Sequence, residues 1–315
     1  MKRVNIYITP QQEKELRDLS GALGIKRSTV VRNAIDEFKL KYDDEIEDFL
    51  KGFEQRLFDH NYNPTVEQQF VKTCEVNKKY FIENVIKINT VDRGLIPFEL
   101  REYQSKLIDV IDNYNEVIIN KSRQIGMTKL AAAIITHYLM FNNHKLVYVG
   151  ANKLSRGVEI IKLIRDMIMA MPEYLRPHMS IRNNHCIEIE GTKSKVILGT
   201  TTRDSIVGFK PDFIYIDEAA FIRKPQFDGF LDALKPLKYQ PKMLIASSTN
   251  GFNTFCKLWY DALCNYNNLR PVKIPYHLVP RRDERWKRDE IQRIGLNRFN
   301  AEYNCEFIDE ERYAF

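Results

Sequence analysis

The chain is 315 residues long, 44% hydrophobic, and carries a formal net charge of +6. This length accommodates one large domain or two smaller ones, and no apolar run is long enough to span a bilayer. Five scattered cysteines without a CxxC pair or a His/Cys cluster argue against a zinc or disulfide framework. Polar residues alternate through the N-terminus, unlike a signal peptide, so a cytoplasmic protein is expected; the mild basicity is compatible with a polyanionic partner.

Residues 1–41 read as a unit of their own. Val4, Ile6 and Ile8 alternate with Arg3, Asn5 and Tyr7, the period of a half-buried strand. Thr9-Pro10-Gln11-Gln12 is a helix start, Leu16, Leu19 and Leu23 mark one helical face, and Gly24 stops it. A second helix follows Ser28, with Val30, Val31, Ala34, Ile35 and Phe38 as its stripe. This order resembles the ribbon-helix-helix DNA-binding family, in which two chains pair their strands and outward residues enter the major groove. The resemblance implies Arg3, Asn5 and Tyr7 as base readers and Ser28 at a helix N-terminus on a phosphate; a strand and two helices packed on the main domain is the simpler alternative. Residues 42–80 read as an acidic linker followed by an irregular or helical segment, and the main domain is expected over 81–315.

Pro97-Phe98-Glu99-Leu100-Arg101-Glu102-Tyr103-Gln104 leads into that domain. Its Gln104 amide could read an adenine edge while Tyr103 packs on the ring, although such residues more often just begin a helix. The apolar run 116–120 then meets Lys121-Ser122-Arg123-Gln124-Ile125-Gly126-Met127-Thr128-Lys129, followed by a helix-like run. Strand, glycine-containing turn and helix are the setting in which backbone N–H groups hold phosphate. The standard loop ends Gly-Lys-Ser/Thr; here Met127 stands where the lysine belongs, and Lys121 and Lys129 bracket the gap.

Further on, a strand at 145–150, a helix at 154–169 and a hairpin from 186–190 and 195–199 predict an α/β fold with a mostly parallel sheet, helices on both faces. Phe213-Ile214-Tyr215-Ile216 is a central strand ending in Asp217 and Glu218, at the edge where open parallel sheets bind ligands. In a nucleotide hydrolase the aspartate holds Mg²⁺ with the loop threonine, Thr128, and the glutamate activates the attacking water. A third strand, 243–246, ends in Ser247-Ser248-Thr249-Asn250-Gly251, small polar residues that could sense a γ-phosphate.

Together these stretches, with Phe299-Asn300-Ala301-Glu302-Tyr303-Asn304-Cys305-Glu306-Phe307, resemble the ATPase domain of the large terminase subunit of tailed bacteriophages. The resemblance implies an ASCE-type, RecA-like P-loop ATPase that binds ATP and Mg²⁺. It implies, further, action on double-stranded DNA as a homo-oligomeric ring, a pentamer, at the procapsid portal in the host cytoplasm, with a small terminase subunit as partner. It makes Glu218 the base, Thr128 and Asp217 the Mg²⁺ ligands, and Arg123 a stabiliser of phosphoryl charge. It also makes Lys121 the phosphate lysine, with Ser248, Thr249 and Asn250 in the coupling role. Val207-Gly208 stands where many members carry Arg-Gly, with Arg203 the nearest substitute. No acidic cluster of the family's nuclease half can be placed. The alternatives are a DNA-binding adaptor with an inactive loop and a two-lobed helicase, for whose second lobe too little chain follows Gly251.

Overall fold

Runs such as 117–119 and 213–216 are apolar on both faces, the composition of strands sandwiched between helical layers. A computed structural model of the chain describes residues 66–90, 92–182, 184–235 and 240–308. The chain divides into two compact units, Met1–Lys72 and Thr73–Phe315. Arg3, Asn5, Tyr7, Ser28 and the acidic segment lie outside the described residues.

Helices α1 (Val66–Val76) and α2 (Lys78–Asn84) precede a small hairpin, β1 (Lys87–Thr90) with β2 (Gly94–Pro97). The segment 81–88, ambiguous between helix and strand by its pattern, is therefore the end of one and the start of the other. Helix α3 (Glu102–Asn113) leads into β3 (Glu116–Lys121), and α4 (Met127–Phe141) follows the loop. The chain continues through β4 (Leu146–Ala151) and α5 (Leu154–Met169). A three-stranded meander comes next: β5 (Met179–Arg182), β6 (Cys186–Ile189) and β7 (Ser194–Thr200). The short helix α6 (Arg203–Ile206) leads to β8 (Phe213–Asp217), α7 (Lys224–Leu234), β9 (Lys242–Ser247), α8 (Thr254–Leu263) and β10 (Arg270–Ile274). Two helices, α9 (Glu284–Ile294) and α10 (Leu296–Glu302), close the described chain.

Eight of these strands form one sheet in the order β10-β3-β9-β8-β4-β7-β6-β5. Pairing is parallel from β10 to β7 and antiparallel through the meander. The mixed sheet is thus the expected α/β architecture with an antiparallel margin. On one face Phe227, Phe230, Phe255 and Trp259 from α7 and α8 pack on Ile214, Ile216 and Ile245. The other layer is α4 and α5, which contact each other and the sheet through buried residues such as Leu130, Ile134, Ile160 and Ile164.

Gly157 lets α5 lie close to the sheet. A Cβ there would come 2.1 Å from Leu198 Cδ1 on β7, so a larger residue would need the Leu198 side chain to move aside. A separate aromatic cluster, Tyr276, Phe299 and Tyr303 with Trp286 against it, joins the C-terminal helices.

Candidate active site

Parallel order brings the C-terminal ends of β3, β9, β8 and β4 to one edge, where Lys121, Ser247, Asp217 and Ala151 end their strands. Two bonds tie the loop after β3 to the carboxylates after β8. Lys121 Nζ lies 2.9 Å from Glu218 Oε1, and Thr128 Oγ1 donates to Asp217 Oδ2 at 3.1 Å. Gln124, Gly126 and Glu218 all adopt positive φ, at 60°, 78° and 52°. Two of these are not glycine, and strain of that kind persists where the surrounding structure over-determines it.

The two ends of the loop differ in environment. Lys121 is buried, with only 4% of its surface exposed, and its charge is met by Glu218. Met127 is buried at 3% exposure as the first residue of α4, so its side chain is a core element. Lys129 turns to the opposite side of that helix start and donates to Asn89 O on β1 at 3.0 Å. Ser122 N donates to Ile274 O and Arg123 N to Glu302 O, which anchors the front of the loop to β10 and α10. Ser122 Oγ accepts from Arg282 at 2.8 Å. The Arg123 guanidinium pairs with Glu302 at 2.7 Å, and Glu302 also receives Arg298. Burial works against the Glu302 carboxylate, but these two arginines outweigh it and hold its carboxyl below the usual range.

Tyr103 and Gln104 are buried against the loop from outside. The Tyr103 hydroxyl donates to Ile125 O at 2.7 Å; Gln104 accepts from Arg101 N and reaches the same Ile125 carbonyl at 3.4 Å. Here both residues brace the turn, and a Cβ on Gly126 would sit 3.3 Å from Gln104 Nε2. On the far side Thr249 Oγ1 contacts Ala301 O at 2.7 Å and Glu306 O at 2.9 Å, while Asn250 donates to Ala220 O. Ser248 is buried beside them, and Ser247 Oγ accepts from Ala220 N at 3.0 Å. Arg203 is exposed on α6, followed by the exposed Val207 and Gly208.

Burial raises the Asp217 carboxyl above its ordinary range; Lys121 opposes this, Glu218 adds to it, and Tyr215 and Arg156 oppose it again. Tyr215 donates to Asp217 Oδ1 at 2.8 Å, and burial drives its own phenol well above normal. Neither Tyr215 nor Arg156 was marked by its sequence context. Glu218 Oε2 is buried without a hydrogen-bond partner among the described residues. Such an atom is costly unless a water or ligand meets it.

Among the described residues no three His, Cys, Asp or Glu side chains converge as a metal cage. One hydroxyl and one carboxylate 3.1 Å apart fit instead the manner of Mg²⁺, which takes one or two protein oxygens and completes its shell with phosphates and water. Among the described residues no helix is long and apolar enough to cross a membrane.

A parallel sheet with a glycine turn at one strand end and paired carboxylates two strands away defines a P-loop NTPase-type domain. Residues 118–315 match the family profile of the terminase large subunit, T4likevirus-type, N-terminal, and the chain belongs to that family. Solved structures agree in fold. The large terminase ATPase domain of Thermus phage P74-26 is 16% identical with a TM-score of 0.53, over 67% of this chain and 95% of that one. The bacteriophage HK97 large terminase is 18% identical with a TM-score of 0.61, over 74% of this chain and 55% of that one. The large terminase of a thermophilic bacteriophage in complex with ADP is 13% identical with a TM-score of 0.53, over 66% and 54%. The chain thus spans about half the length of these last two large terminases.

Proposed function

We propose that the chain hydrolyses ATP as the motor domain of a phage DNA-packaging terminase. The observation that carries the reading is the pair of bonds joining loop to carboxylates, Lys121 to Glu218 and Thr128 to Asp217. Lys121 is the buried cation at the mouth of the loop and holds the phosphates; the amides at the start of α4 assist it. Thr128 and Asp217 hold Mg²⁺, which supplies charge neutralisation on the phosphates when bound. Glu218 is the general base: once Lys121 turns to phosphate, both oxygens of Glu218 are free to orient a water and take its proton. Arg123 stabilises charge on the transferred group after leaving Glu302. Ser248, Thr249 and Asn250 couple this site to the rest of the domain, Thr249 through the C-terminal segment that it already touches.

Family membership supports double-stranded DNA as the track and portal protein and small terminase subunit as partners. It also supports a pentameric ring as the working assembly. The decisive variant is Glu218→Gln, which is expected to bind ATP normally and lose at least about a hundredfold in turnover, the scale of a lost general base. Near-normal turnover in that variant would refute the assignment, and a parent chain that binds no nucleotide would point to the adaptor alternative.

A further inference from the structure

We infer that Arg156 is a built-in competitor for the cation at this site. It lies in the first turn of α5, separated from the phosphate turn in sequence by α4 and β4, yet its guanidinium reaches the centre of the site. Arg156 Nη2 donates to Thr128 Oγ1 at 3.2 Å, and Nε lies 3.5 Å from Asp217 Oδ2. These are the two oxygens that would face a divalent ion. The inference rests on reading Thr128 and Asp217 as the cation ligands.

Asp217 is fully buried, and a carboxylate so placed needs a compensating charge. Lys121 supplies part of it, and Arg156 adds to it from a side chain that is itself 40% exposed, so withdrawal into solvent is open to Arg156. A resting partner exists as well, because Nη1 already pairs with Glu159 at 2.8 Å one turn along α5. An ion about 2.1 Å from both oxygens would take the Thr128 lone pair that now accepts from Arg156, replace the guanidinium as the counter-charge of Asp217, and repel the guanidinium across a few ångström. Cation entry and guanidinium exit are therefore one exchange, a single charge leaving as a double charge arrives. The consequence is a site with weak affinity for a bare divalent ion and full affinity only when phosphates add their own oxygens.

The test is Mn²⁺ titration of the full chain without nucleotide, free Mn²⁺ being read by electron paramagnetic resonance. Parent, R156Q, R156K, D217N and R156Q/D217N are compared. R156Q is expected to bind Mn²⁺ more tightly by on the order of tenfold, from relief of like-charge repulsion in a part-exposed site. R156K, which keeps the charge, should stay near the parent, and D217N should abolish the gain. If R156Q binds no more tightly than the parent while D217N weakens binding, the cation site stands and the competitor role is overturned. If D217N changes binding in neither background, the cation-site reading fails and takes the inference with it. Arg156→Met, which keeps the aliphatic stem, makes the same comparison should R156Q not fold.

Discussion

Lys121 and Lys129 flank the same turn, but their surroundings set them apart: one is buried facing a carboxylate across the site, the other is bonded to a backbone carbonyl on a separate hairpin. Lys121→Ala should therefore abolish nucleotide binding, and Lys129→Ala should leave it within about twofold, the scale of a small surface change. Fluorescent-nucleotide titration of both variants checks this; loss with Lys129→Ala alone would reverse the assignment. That two lysines bracket the turn, with Met127 between them, was readable from residue types. Their environments were not, because burial of Met127 depends on how α4 meets the sheet. A second residue-scale consequence concerns pH. Burial pushes the His137 imidazole down from its ordinary value near 6.5 to about 4, and its Nε2 lies 2.9 Å from Cys74 O. A base depressed by folding adds stability that is complete above its unfolded value and is lost as pH falls towards its folded one. Unfolding free energy from urea titration should thus drop by about 2 kcal/mol between pH 7 and pH 5. In His137→Phe, which keeps an aromatic ring between Phe81 and Phe141, that slope should flatten.

The segment carrying α10 and the turn after it touches both sides of the site. Glu302 holds Arg123 at the loop, while the carbonyls of Ala301 and Glu306 share the hydroxyl of Thr249 at the end of β9. Thr249→Val removes one buried hydroxyl with almost no change of shape and takes away the single proton that the two carbonyls share. It should cost about 1–2 kcal/mol of stability, measured by thermal or urea unfolding. A cost near zero would mean that the other contacts of the segment, the aromatic cluster and the Arg123–Glu302 pair among them, hold it without this hydroxyl. The strands were legible at this scale because runs such as 117–119 and 213–216 are apolar throughout and bounded by turn residues. Gln104 shows where legibility ended. As a residue type it suits either adenine recognition or the bracing of a turn, and only tertiary position shows it bonded to Arg101 N and close to the Ile125 carbonyl. Arg156 was invisible for a different reason. It enters the site only because β4 pairs with β8, so that Ala151 stands opposite Asp217.

At the scale of the whole molecule, the first 41 residues carry a distinct expectation, that they recruit DNA or a partner through a paired ribbon. Deleting them should weaken DNA binding across a salt titration, or abolish dimerisation, and leave basal ATP hydrolysis unchanged. Identical salt-dependent binding and identical oligomeric state in the truncated chain would remove that role.

The strand order has a consequence of another kind. β9 lies between β3 and β8, so the loop and the carboxylates are two interstrand steps apart, roughly 10 Å at about 4.8 Å per step. Backbone hydrogen bonds set that opening, and no side-chain exchange on the loop alters it. The sheet is a caliper whose jaws are β3 and β8, and chemistry depends on which charges project into the gap, not on which position of the turn supplies them. A lysine entering from the front of the turn meets Glu218 across the same opening that one at its back would have to cross. The backbone fixes the gauge, and the turn is free to change the residue that delivers the charge.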